Sequence, residues 1–258
     1  MGVDSDQWDR QKRVSGWRQE NVEGARCLVF GAGALGNEVV KNLLQLGVKD
    51  ITVVDYDRVV AANLNRCVFF TPADAEAGNY KATVIARRAI EVNPLARVNA
   101  IVKNLELLPA DFYSSGRFDY VFACLDNLGA RLHVNAHAYG HVALIDGGTA
   151  GFSGKVQAVV SPSPCLECSM NKRDYQLLWR KYSCTGEMLE LIDPKMPALP
   201  TTTSVVAALQ VNEFVKLCHY GQDFPADSLV GKYAFFNGLS NDFSVFSVSK
   251  RKSCPVHG

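Results

Sequence analysis

The sequence feature that most constrains the fold is a glycine motif placed between an apolar run and a helical pattern. Gly31, Gly33 and Gly36 form G-x-G-x-x-G directly after the apolar segment 26–30. Glycine permits a tight turn and lets backbone N–H groups approach a phosphate at the start of a helix. Asp55 ends the next apolar run, 19 positions after Gly36, where an acid that binds ribose hydroxyls is expected. The pattern predicts a nucleotide site, with a tight turn that binds nothing as the alternative.

Apolar and amphipathic segments alternate along the first 150 residues. Strands are predicted at 26–30, 51–55, 98–102, 119–124 and 142–146, and helices at 81–92 and 131–139. This alternation predicts an α/β fold with a doubly wound, mostly parallel, Rossmann-like sheet. Further along, a helix is predicted at 204–219 and antiparallel strands at 155–160 and within 229–248, after a long connection at 171–200. The fold is therefore expected to end in an antiparallel extension.

The composition is that of an ordinary globular protein. Hydrophobic residues make up 48% and charged residues 21%, and the net charge is +1, so no general attraction to nucleic acid or membrane is expected. No apolar run approaches the roughly 20 residues that span a bilayer, and the first residues have no apolar signal core. We expect a cytoplasmic protein in which the eight cysteines serve packing, metal binding or catalysis.

Polar residues that follow the predicted strands favour phosphate chemistry over hydride transfer. They are Asp57, Asn63 and Arg66 after the second strand, Lys81 at the head of a helix, and Asp126 and Asn127 after the strand at 119–124. Doubly wound sheets bind ligands at the carboxyl ends of their strands. Arginine and lysine suit a triphosphate, and an aspartate there suits Mg²⁺. Each residue alone is more often a surface charge or a helix cap, so the prediction depends on the set.

The order of these motifs resembles the ThiF/MoeB-type adenylating family, which includes the ubiquitin-activating enzymes. The similar segments are WDRQ at 8–11, GAGALG at 31–36, VDYDRVVAANLNR at 54–66, GNYKA at 78–82, CLDN at 124–127 and MPALPTTTSVVAALQVNEFVKL at 196–217. They cover nearly the whole chain. Cys67 departs from the pattern, since the family usually has glutamine after the arginine. The family adenylates the terminal glycine of a β-grasp protein such as ubiquitin, a sulfur carrier or a modifier.

The resemblance implies a role for each matching residue. The three glycines would cradle ATP, Asp55 would hold its ribose, and Asp126 would bind Mg²⁺. Asn63, Arg66 and Lys81 would contact the phosphates. Asp57 and Asn127 are assigned to the same nucleotide site. Arg10 matches an arginine that reaches the ATP of the neighbouring subunit, which implies a homodimer.

Two cysteine patterns suggest a metal site. Cys165 and Cys168 form C-x-x-C, and Cys254 and His257 form C-x-x-H 86 positions later. Together they make a plausible tetrahedral zinc set, with a redox pair as the rival interpretation of C-x-x-C. The resemblance supports zinc, although the family's usual second pair is C-x-x-C. Three other cysteines, at positions 27, 124 and 218, are interpreted as packing residues.

Cys184 lies in a Cys-Thr dipeptide within the long connection, where ubiquitin-activating enzymes carry their thioester cysteine. The first hypothesis is therefore adenylation of a ubiquitin-like protein, thioester formation on Cys184 and transfer to a conjugating enzyme. A sulfur-carrier adenylyltransferase without a thioester is the alternative. A non-catalytic partner subunit and an oxidoreductase are weaker hypotheses. We expect one domain over 1–258, in which 1–150 bind the nucleotide and 151–258 form the zinc, crossover and modifier-binding half.

Overall fold

One mixed sheet organises the molecule. The computed structural model describes residues 6–170, 175, 197–222, 224 and 226–258. Eight strands lie in the order β3-β2-β1-β4-β5-β6-β7-β8. They are β1 (Arg26–Phe30), β2 (Asp50–Val54), β3 (Arg97–Ile101), β4 (Tyr120–Ala123), β5 (Ala143–Ala150), β6 (Ser153–Val159), β7 (Lys232–Asn237) and β8 (Asp242–Ser247). The first five pair in parallel and the last three pair antiparallel.

Helices cover both faces of this sheet. The α-helices of the described residues are α1 (Gln19–Gly24), α2 (Ala34–Leu46), α3 (Pro72–Glu76), α4 (Lys81–Val92), α5 (Leu128–Ala138) and α6 (Pro200–Cys218). The predicted α/β fold with an antiparallel extension is confirmed, and the sheet is more evenly mixed than predicted. Among the described residues, no helix has both the length and the apolar character needed to cross a membrane.

β1 is the strand at which the direction of winding changes. It pairs in parallel with β2 on one side and β4 on the other, and Phe30 is level with Val54 and Ala123. In open α/β sheets ligands bind at the carboxyl ends of the strands where the order reverses. The residues that follow these three strand ends, Gly31, Asp55 and Cys124, therefore meet at one edge of the sheet.

The core consists of two apolar layers, one on each face of the sheet. Alternate residues of β1 enter each layer: Val29 packs in the layer under α2, α4 and α6, and Leu28 packs in the layer under α5. Both side chains are fully buried. A strand buried on both faces has a continuous apolar sequence, and this is the pattern that predicts a strand at 26–30.

Three boundaries differ from the predictions for a physical reason. β5 continues to Ala150 rather than ending at 146, because its glycines pair with β6. α5 begins at Leu128 because Asn127 caps it. α6 begins at Pro200, where a proline at the first helical turn needs no N–H partner. Most of the predicted connection at 171–200 lies outside the described residues.

Candidate nucleotide site and metal centre

The glycine loop is tightly packed at two positions and open at the third. Gly31 has φ of 91°, which favours glycine. A Cβ on Gly31 would lie 2.4 Å from the carbonyl oxygen of Cys124, and one on Gly36 would lie 1.8 Å from the carbonyl oxygen of Gly31. A Cβ on Gly33 would meet no atom within 4 Å. Packing therefore accounts for two glycines, and the open space over Gly33 fits the approach of a phosphate.

Asp55 joins the end of β2 to the glycine loop. Its Oδ2 accepts a hydrogen bond from the Ala32 N–H at 2.7 Å, and its Oδ1 accepts one from the Asp57 N–H at 2.7 Å. Burial raises the pKa of Asp55, while the hydrogen bond from Ala32 and the charge of Lys81 oppose that rise. The carboxylate is thus held at the edge of the sheet, at the position predicted for a ribose contact.

The segment between β2 and α4 carries the predicted phosphate contacts. Lys81 is buried, and its Nζ lies 2.7 Å from Asp57 Oδ2. Asn63 is also buried and accepts a hydrogen bond from the Val60 N–H at 3.0 Å. Arg66 is half-buried, with its guanidinium donating to the Ala62 carbonyl oxygen. Asp57 therefore pairs with Lys81. The cationic groups of Arg66 and Lys81 both lie on the stretch from the end of β2 to the first residue of α4.

Asp126 follows β4 and is exposed at the edge that carries the glycine loop. Its neighbour Asn127 accepts a hydrogen bond from the Ala130 N–H at 2.7 Å and so caps α5. Mg²⁺ takes one or two carboxylates together with phosphate oxygens and water. An exposed carboxylate at this point fits such an ion.

A buried side chain, Gln210, and a half-buried one, Arg131, support this edge of the sheet, and the sequence analysis missed both. Gln210 of α6 donates to the carbonyl oxygen of Ala123 at the end of β4, at 3.2 Å, and to that of Ile145 within β5, at 3.0 Å. Arg131 of α5 pairs with Asp146 of β5, donating from Nε to Oδ1 at 2.8 Å. Each residue sits in an ordinary helical pattern, so only the tertiary contacts reveal it.

Asn37 and Asp74 are two further residues that the sequence analysis missed. Asn37 lies directly after the third glycine and is fully buried in α2. Asp74 of α3 is buried and lies 2.7 Å from Arg87 and 2.9 Å from Arg88. Placement of Asn37 after the motif was the one available sequence signal.

The four predicted metal ligands converge. Cys165, Cys168, Cys254 and His257 offer ligand atoms that all lie within 4.8 Å of one another. Cys165 Sγ lies 3.5 Å from Cys254 Sγ, and Cys168 Sγ lies 3.1 Å from His257 Nε2. Tetrahedral zinc with bonds of about 2.0–2.3 Å separates its ligands by roughly 3.3–3.8 Å. The donor set is one that zinc uses, and the Cys165–Cys254 separation lies in this range, whereas the Cys168–His257 separation is shorter.

The charge state of these thiols also fits a metal site. Burial raises the pKa of Cys165 to about 12, so the isolated thiol would stay neutral. A bound divalent cation stabilises thiolate and reverses this preference. The cluster connects the segment after β6 to the C-terminal residues, which have no strand or helix of their own. A metal there would fasten the C-terminus to the sheet.

One predicted catalytic residue, Arg10, lies in a segment away from the nucleotide edge of its own chain. The segment containing Arg10 contacts the far end of α2, where Trp8 Nε1 donates to the Gln45 carbonyl oxygen at 3.2 Å and Gln11 Nε2 donates to that of Leu46 at 2.8 Å. Cys184 lies outside the described residues.

The fold places the candidate site at the reversal point of the sheet, and the sequence comparisons give the family of this chain. The chain belongs to the ThiF family, whose model matches residues 8–256. It is similar to the molybdopterin-synthase adenylyltransferase of Salmonella typhimurium, with 28% identity over 93% of this chain and 90% of that protein.

Other relatives are larger proteins that share part of their length with this chain. The "Ubiquitin-activating enzyme E1-like" protein of Saccharomyces cerevisiae is 31% identical over 58% of this chain. The chain spans 24% of that protein and 37% of the Arabidopsis thaliana NEDD8-activating enzyme E1 catalytic subunit, which is also 31% identical. The crystal structure of Escherichia coli MccB with AMPCPP and MccA superimposes with a TM-score of 0.80 over 98% of this chain and 75% of that one. At 20% identity this likeness shows the fold alone.

Proposed function

We propose that this protein uses ATP to adenylate the C-terminal glycine of a ubiquitin-like or sulfur-carrier β-grasp protein. The observation that carries the proposal is the open space over Gly33 at the strand where the winding reverses. Asp55 lies on one side of this space and the strand end that leads to Asp126 lies on the other. The adenylyltransferase and E1-type relatives support the same chemistry.

The reaction requires two anions to be brought together. A carboxylate oxygen of the carrier attacks the α-phosphorus of ATP, the bond between the α-phosphorus and the bridging oxygen breaks, and pyrophosphate leaves with that electron pair. The product is a mixed carboxylic–phosphoric anhydride. Because both reactants are negative, the protein must supply orientation and positive charge at the transferring phosphate.

The described residues can divide these tasks. Asp55 would hold the ribose, and backbone N–H groups around Gly33 would bind the phosphates at the start of α2. Lys81 and Arg66 would neutralise phosphate charge, and the amide of Asn63 would orient an oxygen. Mg²⁺ held by Asp126 would supply further charge neutralisation when bound. In the ATP complex, Lys81 would exchange some of its interaction with Asp57 for phosphate.

We propose two alternative reactions for the adenylate once it has formed. In the first, the Cys184 thiolate attacks the anhydride carbonyl and expels AMP, giving a thioester that passes to a conjugating enzyme. In the second, a sulfur donor attacks the same carbonyl and expels AMP, and no thioester forms on the enzyme. The similarity to the molybdopterin-synthase adenylyltransferase supports the second version, and the similarity to the E1-type relatives supports the first.

The same proposal includes a structural metal site, a dimer and a division of tasks between the two halves of the chain. A zinc ion on Cys165, Cys168, Cys254 and His257 would be structural, and two chains would form a homodimer with Arg10 shared between sites. Residues 151–258 would supply the surface that binds the carrier, and residues 1–150 the nucleotide site.

The decisive experiment is ATP–pyrophosphate exchange with candidate β-grasp proteins that end in Gly-Gly. Exchange should depend on the added protein and be lost in Asp126→Ala. Cys184→Ala should retain exchange and lose a thiol-sensitive adduct, while Cys218→Ala, the matched control, should keep both. A Cys184→Ala chain that still forms the adduct would show the thioester assignment to be wrong. Strong exchange without any adduct in the wild type would favour the sulfur-carrier version.

A further inference from the structure

Asn37 uses both functions of its side-chain amide on two separate segments. The Nδ2 group donates to the carbonyl oxygens of Ala32 at 2.8 Å and Gly33 at 3.0 Å, within the glycine loop. The Oδ1 atom accepts a hydrogen bond from the Phe69 N–H at 3.0 Å. The side chain is fully buried, so water does not compete for these bonds.

The second segment is the one that carries the proposed phosphate contacts. Phe69 lies three positions after Arg66, and the turn between them is closed by a 3.2 Å hydrogen bond from the Phe70 N–H to the Cys67 carbonyl oxygen. Arg88 of α4 donates to the Phe69 carbonyl oxygen at 2.6 Å. The N–H group of Phe69 is thus bonded to Asn37 of α2, and the carbonyl group of Phe69 is bonded to Arg88 of α4.

We propose that Asn37 is a positioning residue that fixes the separation between the glycine loop and Arg66, and so the affinity for the triphosphate. This inference rests on the proposed function, because it assumes that both segments contact one nucleotide. Only an amide offers two N–H donors and an acceptor at this point. Aspartate has no donor and leucine has neither function, so replacement would leave buried backbone groups without partners.

A serine at position 37 would cut one of the two connections selectively. Serine in a helix donates back to the carbonyl oxygen four residues earlier, which here is that of Gly33. Asn37→Ser would therefore keep a bond to the glycine loop and lose the bond to Phe69. Asn37→Ala would lose both. Because Asn37→Ser keeps one hydrogen bond, it should reduce stability less than Asn37→Ala. It therefore serves as the second variant if Asn37→Ala impairs folding.

Asn93 offers a matched control at the other end of α2. It is likewise buried, donates to the Leu44 carbonyl oxygen at 3.2 Å and accepts from the Leu95 N–H at 3.0 Å. Asn93 is the residue that follows α4, so Asn93→Ala removes a buried side-chain hydrogen bond to α2 far from the glycine loop. Both alanine variants should lose similar stability, whereas only the change at position 37 should alter nucleotide binding.

The experiment measures the dissociation constants of ATP and adenosine by calorimetry and displacement, beside thermal unfolding. Asn37→Ser and Asn37→Ala should weaken ATP binding by about tenfold or more and change adenosine binding by less than about twofold. Asn93→Ala should bind both like the wild type. Equal weakening of ATP and adenosine, or unchanged ATP binding in a folded Asn37→Ser chain, would overturn the inference alone. A wild-type chain that binds no ATP would overturn the proposed function together with it.

Discussion

Gly33 and Gly36 belong to one motif but have different surroundings, which gives the first prediction. Gly33→Ala adds a Cβ into open space, so the melting temperature should change by less than about 2 °C while ATP binding weakens at least about tenfold. Gly36→Ala forces a Cβ against the Gly31 carbonyl oxygen and should cost about 3 kcal/mol of unfolding free energy. Thermal unfolding and ATP titration separate the two effects. A Gly33→Ala chain that binds ATP normally would contradict the assignment of this space to a phosphate.

Asp74 gives a prediction about acid stability. Burial favours the neutral acid, but hydrogen bonds from Thr71 and Asn79 and the charge of Arg88 outweigh it and lower the pKa to about 2. Because this pKa is below the unfolded value of 3.8, the stabilisation is complete above about pH 4 and is lost as the pH falls toward 2.

Asp74→Ala should therefore lower the unfolding free energy by about 2 kcal/mol at pH 7 and by much less near pH 2. Urea unfolding across this pH range measures the difference. Asp227→Ala removes the same charge from an exposed pair with Lys232 and should leave the unfolding free energy nearly unchanged. A pH-independent loss at position 74 would argue against the ionised network.

At the residue scale, the sequence predicted those groups whose position follows from local order. Asp55 and Gly31 could be placed because a strand end and a tight turn fix them within a short stretch of chain. Asn37, Asp74 and Gln210 could not, because their partners are 32, 13 or 87 positions away and follow from packing. A buried polar residue is recognisable only when its partner is known.

At the scale of elements, α5 and β5 are joined by the pair of Arg131 and Asp146. Asp146 is 1% exposed, so removing the guanidinium leaves a buried carboxylate without a counter-charge. Arg131→Met should cost about 3–4 kcal/mol of unfolding free energy, and Asp146→Asn in the same chain should restore part of it. Chemical unfolding of the single and double variants measures this coupling. Additive losses would contradict a direct interaction.

The element boundaries show where sequence patterns stop being sufficient. β5 was expected to end before Gly147, since glycine pairs weaken a strand, but seven residue pairs with β6 hold it to Ala150. A Cβ on Gly147 would lie 2.4 Å from the Gln210 side chain and one on Gly148 would lie 2.6 Å from the Arg131 guanidinium, so a larger residue at either position would displace these side chains from their partners. The Asn127 cap sets the start of α5 and Pro200 sets that of α6, for local reasons that a periodicity count does not include.

At the scale of the whole molecule, the alternation of strands and helices was enough to predict the sheet, since parallel strands need crossover helices. The strand order and the approach of the C-terminal residues to Cys165 depended on the antiparallel half, whose pairing the sequence left open. The four-residue metal set could be named because two short motifs each place their ligands three positions apart. Only the folded chain shows that the two motifs lie close enough together for the four residues to form one site.

The metal centre gives a prediction for the intact protein. Protein purified without added metal should contain one zinc per chain by elemental analysis, and a double Cys165→Ser and Cys168→Ser variant should contain none. A chelator should lower the melting temperature by at least about 5 °C, because metal binding contributes directly to folding. Cys218→Ser, which changes a thiol outside the cluster, should keep the metal. Zinc that persists in the double variant would contradict the ligand assignment.

Arg10 gives a prediction about the assembled protein. Its segment contacts the end of α2 at Gln45 and Leu46, while the glycine loop lies before the start of the same helix at Ala34. A 13-residue helix is about 20 Å long, which places Arg10 far from the glycine loop of its own chain. If Arg10 serves the nucleotide, it must serve that of a partner subunit in a two-fold dimer.

Mixing inactive variants tests this arrangement. Arg10→Ala and Asp126→Ala chains should each be nearly inactive in carrier-dependent pyrophosphate exchange, but their mixed dimer contains one site with Asp126 from one chain and Arg10 from the other. Equal mixing makes about half of the dimers mixed, each with one of two sites intact, so about a quarter of wild-type activity should return. Lys81→Ala mixed with Asp126→Ala is the matched control: both residues come from the same chain, so no dimer regains a complete site. If differently tagged subunits exchange and the first mixture still stays inactive, Arg10 does not act across the interface.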